Sequence, residues 1–332
     1  MTPNRHGQKP SPVWRDERAR ARLEAWHERF RARIQTPVSS EVVDTSYGPS
    51  HVLVGGPENG PALVCLHAMR TGSAHLLSEL QLLAGQFRLI APDLPGQSVL
   101  GPPIRPSLSG HSLADWLVEI LDNLNIGKAD ILGISWGGFV ARKAASAYPE
   151  RFSSMVLIVP AGIVNGSHWR GLTQMALPMV RYRIRPSEAN LKELLRPLLT
   201  EWDEDWAAYM ADTLNDMRLD LRIPPLATDD ELRGLKVRTL VLGADDDISF
   251  PGQAMVERVR RLVSNAEAEL LQQCKHCPPT TPEFRSWLAE RVTTFLVGSE
   301  DGTSARGETE RIREALEWVN TDYGNALKRL AE

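Results

Sequence analysis

Residues 131–140 read ILGISWGGFV, and they place a serine between glycines at the junction of two predicted elements. The stretch ADILGIS (129–135) is a short, continuous apolar run, as expected of a strand that is buried on both faces. The following stretch, WGGFVARKAASAY (136–148), is predicted to be a helix. The two elements meet in a G-x-S-x-G centred on Ser135, which predicts that this serine is a nucleophile held clear of the sheet at a strained turn. The alternative is an ordinary glycine-rich turn.

Strands and helices alternate on both sides of this turn. Apolar runs predict further strands at 50–56, 61–68, 87–96, 153–160, 237–247 and 266–273. Amphipathic segments predict helices at 73–84, 112–124, 251–263 and 282–296. Such a series of β-α units indicates an α/β fold with a doubly wound, mostly parallel sheet.

One segment, 161–234, interrupts the alternation, because it has no clear strand and several helix-like pieces. We interpret it as a helical cap inserted into an α/β core that comprises 41–160 and 235–297. Residues 1–40 are predicted to form an N-terminal extension with an amphipathic helix, and 298–332 a polar linker followed by a C-terminal helix. The terminal helices are expected to pack on the body of the protein or to form a homodimer contact.

Composition excludes several classes of protein. A net charge of −4 gives no reason to expect a nucleic-acid partner, and no run of 18 apolar residues predicts a membrane span. Three cysteines do not make a secreted disulfide framework, and the polar N-terminus does not resemble a signal peptide. We therefore expect a cytoplasmic protein that acts on a small molecule and needs neither a cofactor nor a metal.

A serine nucleophile needs a base, and the base needs an orienting carboxylate. In sheets of this kind the serine comes first in the chain, then the acid, then the histidine, with the last two on loops after late strands. Of the eight histidines, only His276 follows the penultimate predicted strand, which itself ends in the three aspartates 245–247. Carboxylates at the C-terminal edge of a parallel sheet are well placed for chemistry.

His276 also lies inside the C-x-x-C formed by Cys274 and Cys277, which permits two other interpretations. The motif is compatible with thiol–disulfide chemistry or with half of a zinc site. The serine, carboxylate and histidine already stand in the expected chain order, and a structural zinc site needs four ligands. The sequence therefore favours His276 as the base, and a redox role for the two cysteines remains open.

Four motifs together resemble the α/β-hydrolase superfamily over about 41–297: GPENGPALVCLHA, APDLPGQS (91–98), GISWGG, and the late GADD and KH pair. The resemblance is to the serine-nucleophile branch with a helical cap, in particular to carboxylesterases. It implies that Asp246, three residues after the strand-ending glycine, is the acid. It also implies that the backbone N–H groups of Met69 and Trp136 form an oxyanion hole. The chain has alanine at 68, where the family usually has glycine after the histidine.

The expected function is hydrolysis of a carboxylic ester of a small, largely apolar substrate through an acyl-enzyme. The alternatives are hydrolysis of a C–C bond in a diketone-like acid, or a ligand-binding member of the fold without turnover. Cap residues available to line an apolar pocket, or simply to pack the cap on the core, are Trp169, Met175, Met179, Tyr182, Trp202, Trp206, Tyr209, Met210 and Met217. Arg181, Arg183 and Arg185 offer contacts for an acidic substrate, although a solvated edge is the simpler interpretation.

Overall fold

An eight-stranded sheet forms the centre of the protein in a computed structural model, which describes residues 10–298 apart from 219 and 221. The strand order is β1-β2-β4-β3-β5-β6-β7-β8. The pairs β1–β2 and β2–β4 are antiparallel, and all later neighbours are parallel. The predicted α/β class and mostly parallel sheet are thereby confirmed.

The strands are β1 (Val38–Thr45), β2 (Gly48–Gly55), β3 (Ala62–Leu66), β4 (Arg88–Pro92), β5 (Ala129–Ile134), β6 (Phe152–Ile158), β7 (Arg238–Ala244) and β8 (Ala266–Leu271). The helices are α1 (Glu17–Arg31), α2 (Ser73–Leu80), α3 (Ser112–Asn123), α4 (Trp136–Ala147), α5 (His168–Gly171), α6 (Leu177–Ile184), α7 (Glu188–Leu195), α8 (Glu204–Asp216), α9 (Asp229–Arg233), α10 (Gly252–Leu262) and α11 (Pro282–Val297). Seven strands correspond to predicted ones, whereas β1 was not predicted.

The central strands are mostly apolar because both faces of the sheet are covered. Every residue of the β3 segment Leu63–Leu66 is fully buried, and Ile131 and Leu132 of β5 are equally inaccessible. Helices α3 and α4 pack on the sheet through side chains such as Trp116, whose indole N–H donates to Ser50 Oγ at 2.9 Å. This rigid layer fixes the loops at the carboxyl ends of the strands, where ligands of such sheets bind.

Helices α5 to α8 lie between β6 and β7, in the segment predicted to be a cap. A π-helical stretch, Leu172–Ala176, joins α5 to α6. The segment has its own apolar cluster, built mainly from leucines of α7 and its flank together with Tyr182 and Leu214. The boundaries of the cap as a domain remain a prediction.

The N-terminal helix α1 packs against α2 and α8 within the same chain. Arg22 donates to both carboxylate oxygens of Asp216, at 2.6 and 2.7 Å, and the Trp26 indole donates to Asp212 at 2.7 Å. The apolar face of α1 is thus covered by the chain's own body. A homodimer through the terminal helices stays a prediction, and the predicted C-terminal helix within 298–332 lies almost entirely outside the described residues.

The chain divides into two units, Met1–Ala289 and Glu290–Glu332. The sheet and every residue of the candidate site belong to the first unit. Within the described residues, none of the helices is long and apolar enough to cross a membrane.

Candidate active site

Ser135 occupies the sharp turn between β5 and α4 that its motif predicts. Its backbone has φ 51° and ψ −110°, a conformation that is strained for a residue with a side chain. The flanking glycines are required by space: a Cβ on Gly137 would lie 2.1 Å from the Leu66 carbonyl oxygen, and one on Gly133 would lie 2.3 Å from that of Gly137. The sequence therefore bends here because only glycine allows the strand and the helix to approach so closely.

The Ser135 hydroxyl meets the imidazole of His276 directly. The distance from Ser135 Oγ to His276 Nε2 is 3.0 Å, and that from His276 Nδ1 to Asp247 Oδ2 is 2.8 Å. Because a carboxylate only accepts hydrogen bonds, Nδ1 carries the proton and Nε2 is left to accept from the serine. The structure thus brings together two of the predicted site residues, Ser135 and His276.

The third predicted residue, Asp246, is not at this site. Its side chain is 59% exposed and faces Arg170 at 3.9 Å, whereas the Asp247 side chain is fully buried against His276. The loop after β7 explains the difference, because the Asp247 N–H reaches back to the Ala244 carbonyl at 3.4 Å in a tight turn. The carboxylate that contacts His276 is therefore that of Asp247, four residues beyond the strand-ending glycine, and not that of Asp246 as predicted.

Asp245 and Asp247 also accept hydrogen bonds from backbone N–H groups of the loops around the site. Asp247 Oδ1 accepts the backbone N–H groups of Ser249 and Phe250 at 2.7 and 3.0 Å. The Asp245 carboxylate accepts those of Gln273 and Cys274, both at 2.9 Å, at the start of the histidine loop. The three adjacent aspartates thus make three different sets of contacts, and Asp245 and Asp247 both bond the loop that carries His276, although only Asp247 is buried.

The predicted oxyanion donors, Met69 and Trp136, flank Ser135 on separate loops. Trp136 is the first residue of α4, where helical N–H groups have no intrahelical partner, and Met69 lines the same cavity as Ser135. Ala68 is not among the described residues with positive φ; that conformation falls on Arg70, at 59°. Alanine therefore replaces glycine here without strain, and the oxyanion role of both N–H groups remains a prediction.

His67 braces this loop. Its Nδ1–H donates to the Ala68 carbonyl at 2.8 Å, and its Nε2 accepts the Leu94 N–H at 2.9 Å. Burial lowers the pKa of His67, which keeps the ring neutral and suits this pair of bonds. Both ring nitrogens are thus engaged by backbone groups, as expected for a structural histidine and not for a second base.

The loop that carries His276 is bonded to the cap. The Cys277 N–H donates to the Leu198 carbonyl at 2.8 Å, and the Thr200 hydroxyl donates to the Cys277 carbonyl at 2.7 Å. The same hydroxyl accepts the Lys275 N–H at 2.9 Å. The two backbone neighbours of His276 are therefore both held by one threonine of the cap segment. Sequence reasoning missed this contact, because the residues are about 75 positions apart.

A cavity of about 370 Å³ opens onto Ser135 and His276, within the range of roughly 300–1,000 Å³ for small-molecule sites. Four of the predicted cap residues line it, namely Met175, Met179, Trp206 and Met210. Of the others, Trp169 and Trp202 are exposed, and Tyr182, Tyr209 and Met217 are buried elsewhere. Further apolar lining, not predicted from the sequence, comes from Leu76, Leu80, Ile134, Ile158, Leu198, Leu214, Phe250, Pro278, Phe284 and Leu288.

The two cysteines beside His276 are free thiols. Burial raises the pKa of both Cys274 and Cys277 to about 12, so that the reactive thiolate is rare at neutral pH. The Cys274 thiol also contacts the Lys275 carbonyl at 3.4 Å. Within residues 10–218, 220 and 222–298, no group of three histidine, cysteine or acidic side chains is arranged to hold a metal ion.

Sheet topology, elbow and histidine loop together define an α/β hydrolase. The chain belongs to the family described as "alpha/beta hydrolase fold", whose pattern matches residues 61–280. It is 26% identical over 277 residues to the carboxylesterase YbfK of Bacillus subtilis (strain 168), which covers 79% of this chain and 90% of that protein.

A second relative in the same bacterium, described as the uncharacterized carboxylesterase nap, is 25% identical over 266 residues, 79% of this chain and 87% of its own. The crystal structure of naproxen esterase from B. subtilis superposes with a TM-score of 0.71 at 23% identity, over 83% of this chain and 97% of that one. At that identity the likeness between the structures demonstrates the fold alone. The two sequence relatives support a hydrolase of the esterase type.

Proposed function

We propose that the protein hydrolyses a carboxylic ester of a small, largely apolar substrate through an acyl-enzyme on Ser135. The observation that carries this proposal is the continuous hydrogen-bonded series from Asp247 through His276 to Ser135, which ends in a mostly apolar cavity. Such a series activates a hydroxyl that is otherwise a weak nucleophile.

In the proposed first step, Ser135 Oγ attacks the ester carbonyl carbon while Nε2 of His276 takes the hydroxyl proton. The carbonyl oxygen becomes an oxyanion, for which the N–H groups of Met69 and Trp136 are the proposed donors. When the tetrahedral intermediate collapses, the C–O bond to the alcohol breaks and Nε2 returns the proton to the leaving oxygen. Asp247 keeps the proton on Nδ1 and stabilises the imidazolium in between.

In the second step, water attacks the acyl-enzyme and gives its proton to Nε2 of His276. Collapse of this intermediate releases the carboxylic acid, and the same proton returns to Ser135 Oγ. The overall reaction adds one water across the ester bond and leaves every protein group unchanged. Phe250 packs its ring edge-on against His276, with 5.3 Å between the ring centres, which supports the imidazole orientation that both steps require.

Ester cleavage is favoured over C–C cleavage by the two relatives that are named as carboxylesterases. Ester cleavage also requires less stabilisation of the leaving group by the site, because an alkoxide or phenoxide leaves more readily than a carbanion. The complete hydrogen-bonded series argues against the third alternative, a binding protein without turnover.

A fluorophosphonate probe tests the proposal, because it reacts only with an activated serine. We expect one adduct on the peptide that contains Ser135, no adduct with Ser135→Ala, and turnover of p-nitrophenyl esters of short to medium acyl chains. A folded protein that takes no adduct and cleaves no ester would support the binding alternative. An adduct without esterase activity, together with cleavage of a diketone acid, would support the C–C alternative.

A further inference from the structure

Two arginines and one glutamate line the cavity next to Ser135, and one of the arginines is paired with the glutamate. Arg285 donates to both carboxylate oxygens of Glu79, at 2.7 and 2.8 Å. The third is Arg70, which also lines the cavity. Among the described residues Arg70 forms neither an ion pair nor a side-chain hydrogen bond, and its Nε is buried without a partner.

The carboxylate that attracts Arg70 is already engaged by other donors. Asp220 attracts the Arg70 guanidinium, but its carboxylate accepts from Arg222 at 2.9 and 2.7 Å and from Gln97 at 3.1 Å. Arg183 lies close enough to repel Arg70, and burial together with this repulsion lowers the Arg70 pKa. The Arg70 guanidinium thus adds a positive charge to the cavity lining that no carboxylate of the lining pairs with among the described residues.

The hydrogen bond between Arg70 and the cap does not involve the guanidinium. The contact that Arg70 makes with the cap uses its backbone, since the Tyr209 hydroxyl donates to the Arg70 carbonyl at 3.1 Å. A partly buried, unpaired cation costs free energy that an incoming anion can recover. A guanidinium is also the side chain best shaped to bind a carboxylate through two parallel hydrogen bonds.

The position of Arg70 relates this charge to the substrate. Arg70 directly follows Met69, whose backbone N–H is a proposed donor to the oxyanion. The Arg70 side chain therefore begins one residue away from the proposed oxyanion hole. None of the arginines in RYRIR is among the residues that line the cavity: Arg181 is on the surface with Glu193 at 2.6 Å, and Arg183 donates to the Leu214 carbonyl at 3.0 Å.

We propose that Arg70 forms an anion subsite in the cavity and that the substrate is an ester bearing a carboxylate remote from the bond that is cleaved, such as a monoester of a dicarboxylic acid. This inference rests on the proposed esterase function and specifies its substrate class. In this proposal the apolar lining contacts the hydrocarbon segment of the substrate, between its ester and its free carboxylate. The Arg70 guanidinium binds the free carboxylate.

The test compares two p-nitrophenyl esters with the same acyl length, the hydrogen adipate and the hexanoate. We expect the wild type to prefer the hydrogen adipate in kcat/KM. In Arg70→Met the preference should fall by roughly ten- to a hundredfold, the range for hydrogen bonds to charged groups. The loss should come mainly through KM, because the carboxylate is bound equally in the ground and transition states. Arg70→Lys should retain part of the preference.

Arg181→Met is the matched control, since it removes the same kind of charge from an exposed position on the cap. It should leave the preference unchanged. Equal use of both esters by the wild type, or the same preference in Arg70→Met, would overturn the subsite while leaving the esterase intact.

Calorimetric binding of the intact esters to Ser135→Ala, with and without Arg70→Met, separates the two proposals. Tighter binding of the hydrogen adipate that depends on Arg70 is expected even if the protein proves unable to cleave esters. Equal binding of both esters would count against the subsite.

Discussion

One oxygen of the Asp247 carboxylate contacts the imidazole of His276, and the other contacts the backbone of the loop that carries Asp247. Oδ2 accepts the Nδ1–H of His276 at 2.8 Å, and Oδ1 accepts the N–H groups of Ser249 and Phe250 at 2.7 and 3.0 Å. The oxygen that faces the histidine is thereby held by the loop that carries it. Three hydrogen bonds to one buried carboxylate leave the Asp247 side chain little freedom to turn away from His276.

The first prediction concerns the choice between adjacent aspartates. Asp247→Asn should lower kcat by roughly 10⁴-fold, as in other triads, because an amide no longer selects the Nδ1–H tautomer. Asp246→Asn is the control, because that side chain is exposed beside Arg170, and it should cost less than about tenfold. Steady-state kinetics on one ester decide the question; a crippled Asp246→Asn enzyme with an active Asp247→Asn would reverse our assignment.

Sequence reasoning identified Ser135 and His276 because each depends on local signals, a steric motif and a position after the last strand. Three identical side chains in a row carry no such signal. Which of them turns inward depends on bonds to Ala244 and to the histidine loop, and these form only in the folded chain. Family spacing therefore selected Asp246, one residue too early.

In the fold, too, the elements with a local sequence signal were predicted and those without one were not. Buried parallel strands read as mostly apolar runs, and these runs predicted the strands and their alternation with helices. Strand β1 is mostly exposed, reads VSSEVVDT, and lacks the alternation that marks a half-buried strand. Glu79 and Arg285 form an ion pair although they are 206 positions apart in the sequence. The sequence likewise gives no sign that Arg70 lines a cavity, because the cavity forms only in the folded chain.

The second prediction concerns the elbow. Gly137→Ala should destabilise the protein by at least about 3 kcal/mol, the upper end of the usual cost of overpacking, because its Cβ would lie 2.1 Å from a backbone oxygen of β3. Gly171→Ala, in the cap, is the matched control, because a Cβ there meets nothing within 4 Å. Denaturant unfolding compares the two. Equal stability of both variants would mean that the elbow is less tightly packed than described.

The third prediction concerns the thiols beside His276. With a pKa of about 12, each is ionised in roughly one molecule in 10⁴ at pH 8. We expect a disulfide-exchange reagent to label Cys274 and Cys277 slowly in the native protein and rapidly after unfolding. The double variant Cys274→Ser/Cys277→Ser should keep most of the esterase activity, with or without reductant. A loss as large as that of His276→Ala would assign the cysteines a part in the chemistry.

The last prediction concerns Thr200, which we propose as a positioning residue for His276. Its hydroxyl accepts from Lys275 N–H and donates to the Cys277 carbonyl, so that it holds the backbone on both sides of the base. Thr200→Val keeps the shape and removes both bonds. The partly buried Lys275 N–H left unpaired should cost about 1 kcal/mol of stability, the lower end of the range for an unsatisfied donor.

If Thr200 positions the base, the variant should also lose roughly ten- to a hundredfold in kcat, since small displacements of catalytic groups are costly. The rate of fluorophosphonate labelling should fall in parallel when measured well below the Tm of every variant. Thr200→Ser preserves the hydroxyl and should restore both rates. A Thr200→Val enzyme that is less stable yet labels and turns over at the wild-type rate would limit Thr200 to anchoring the cap, because His276 would then keep its place without it.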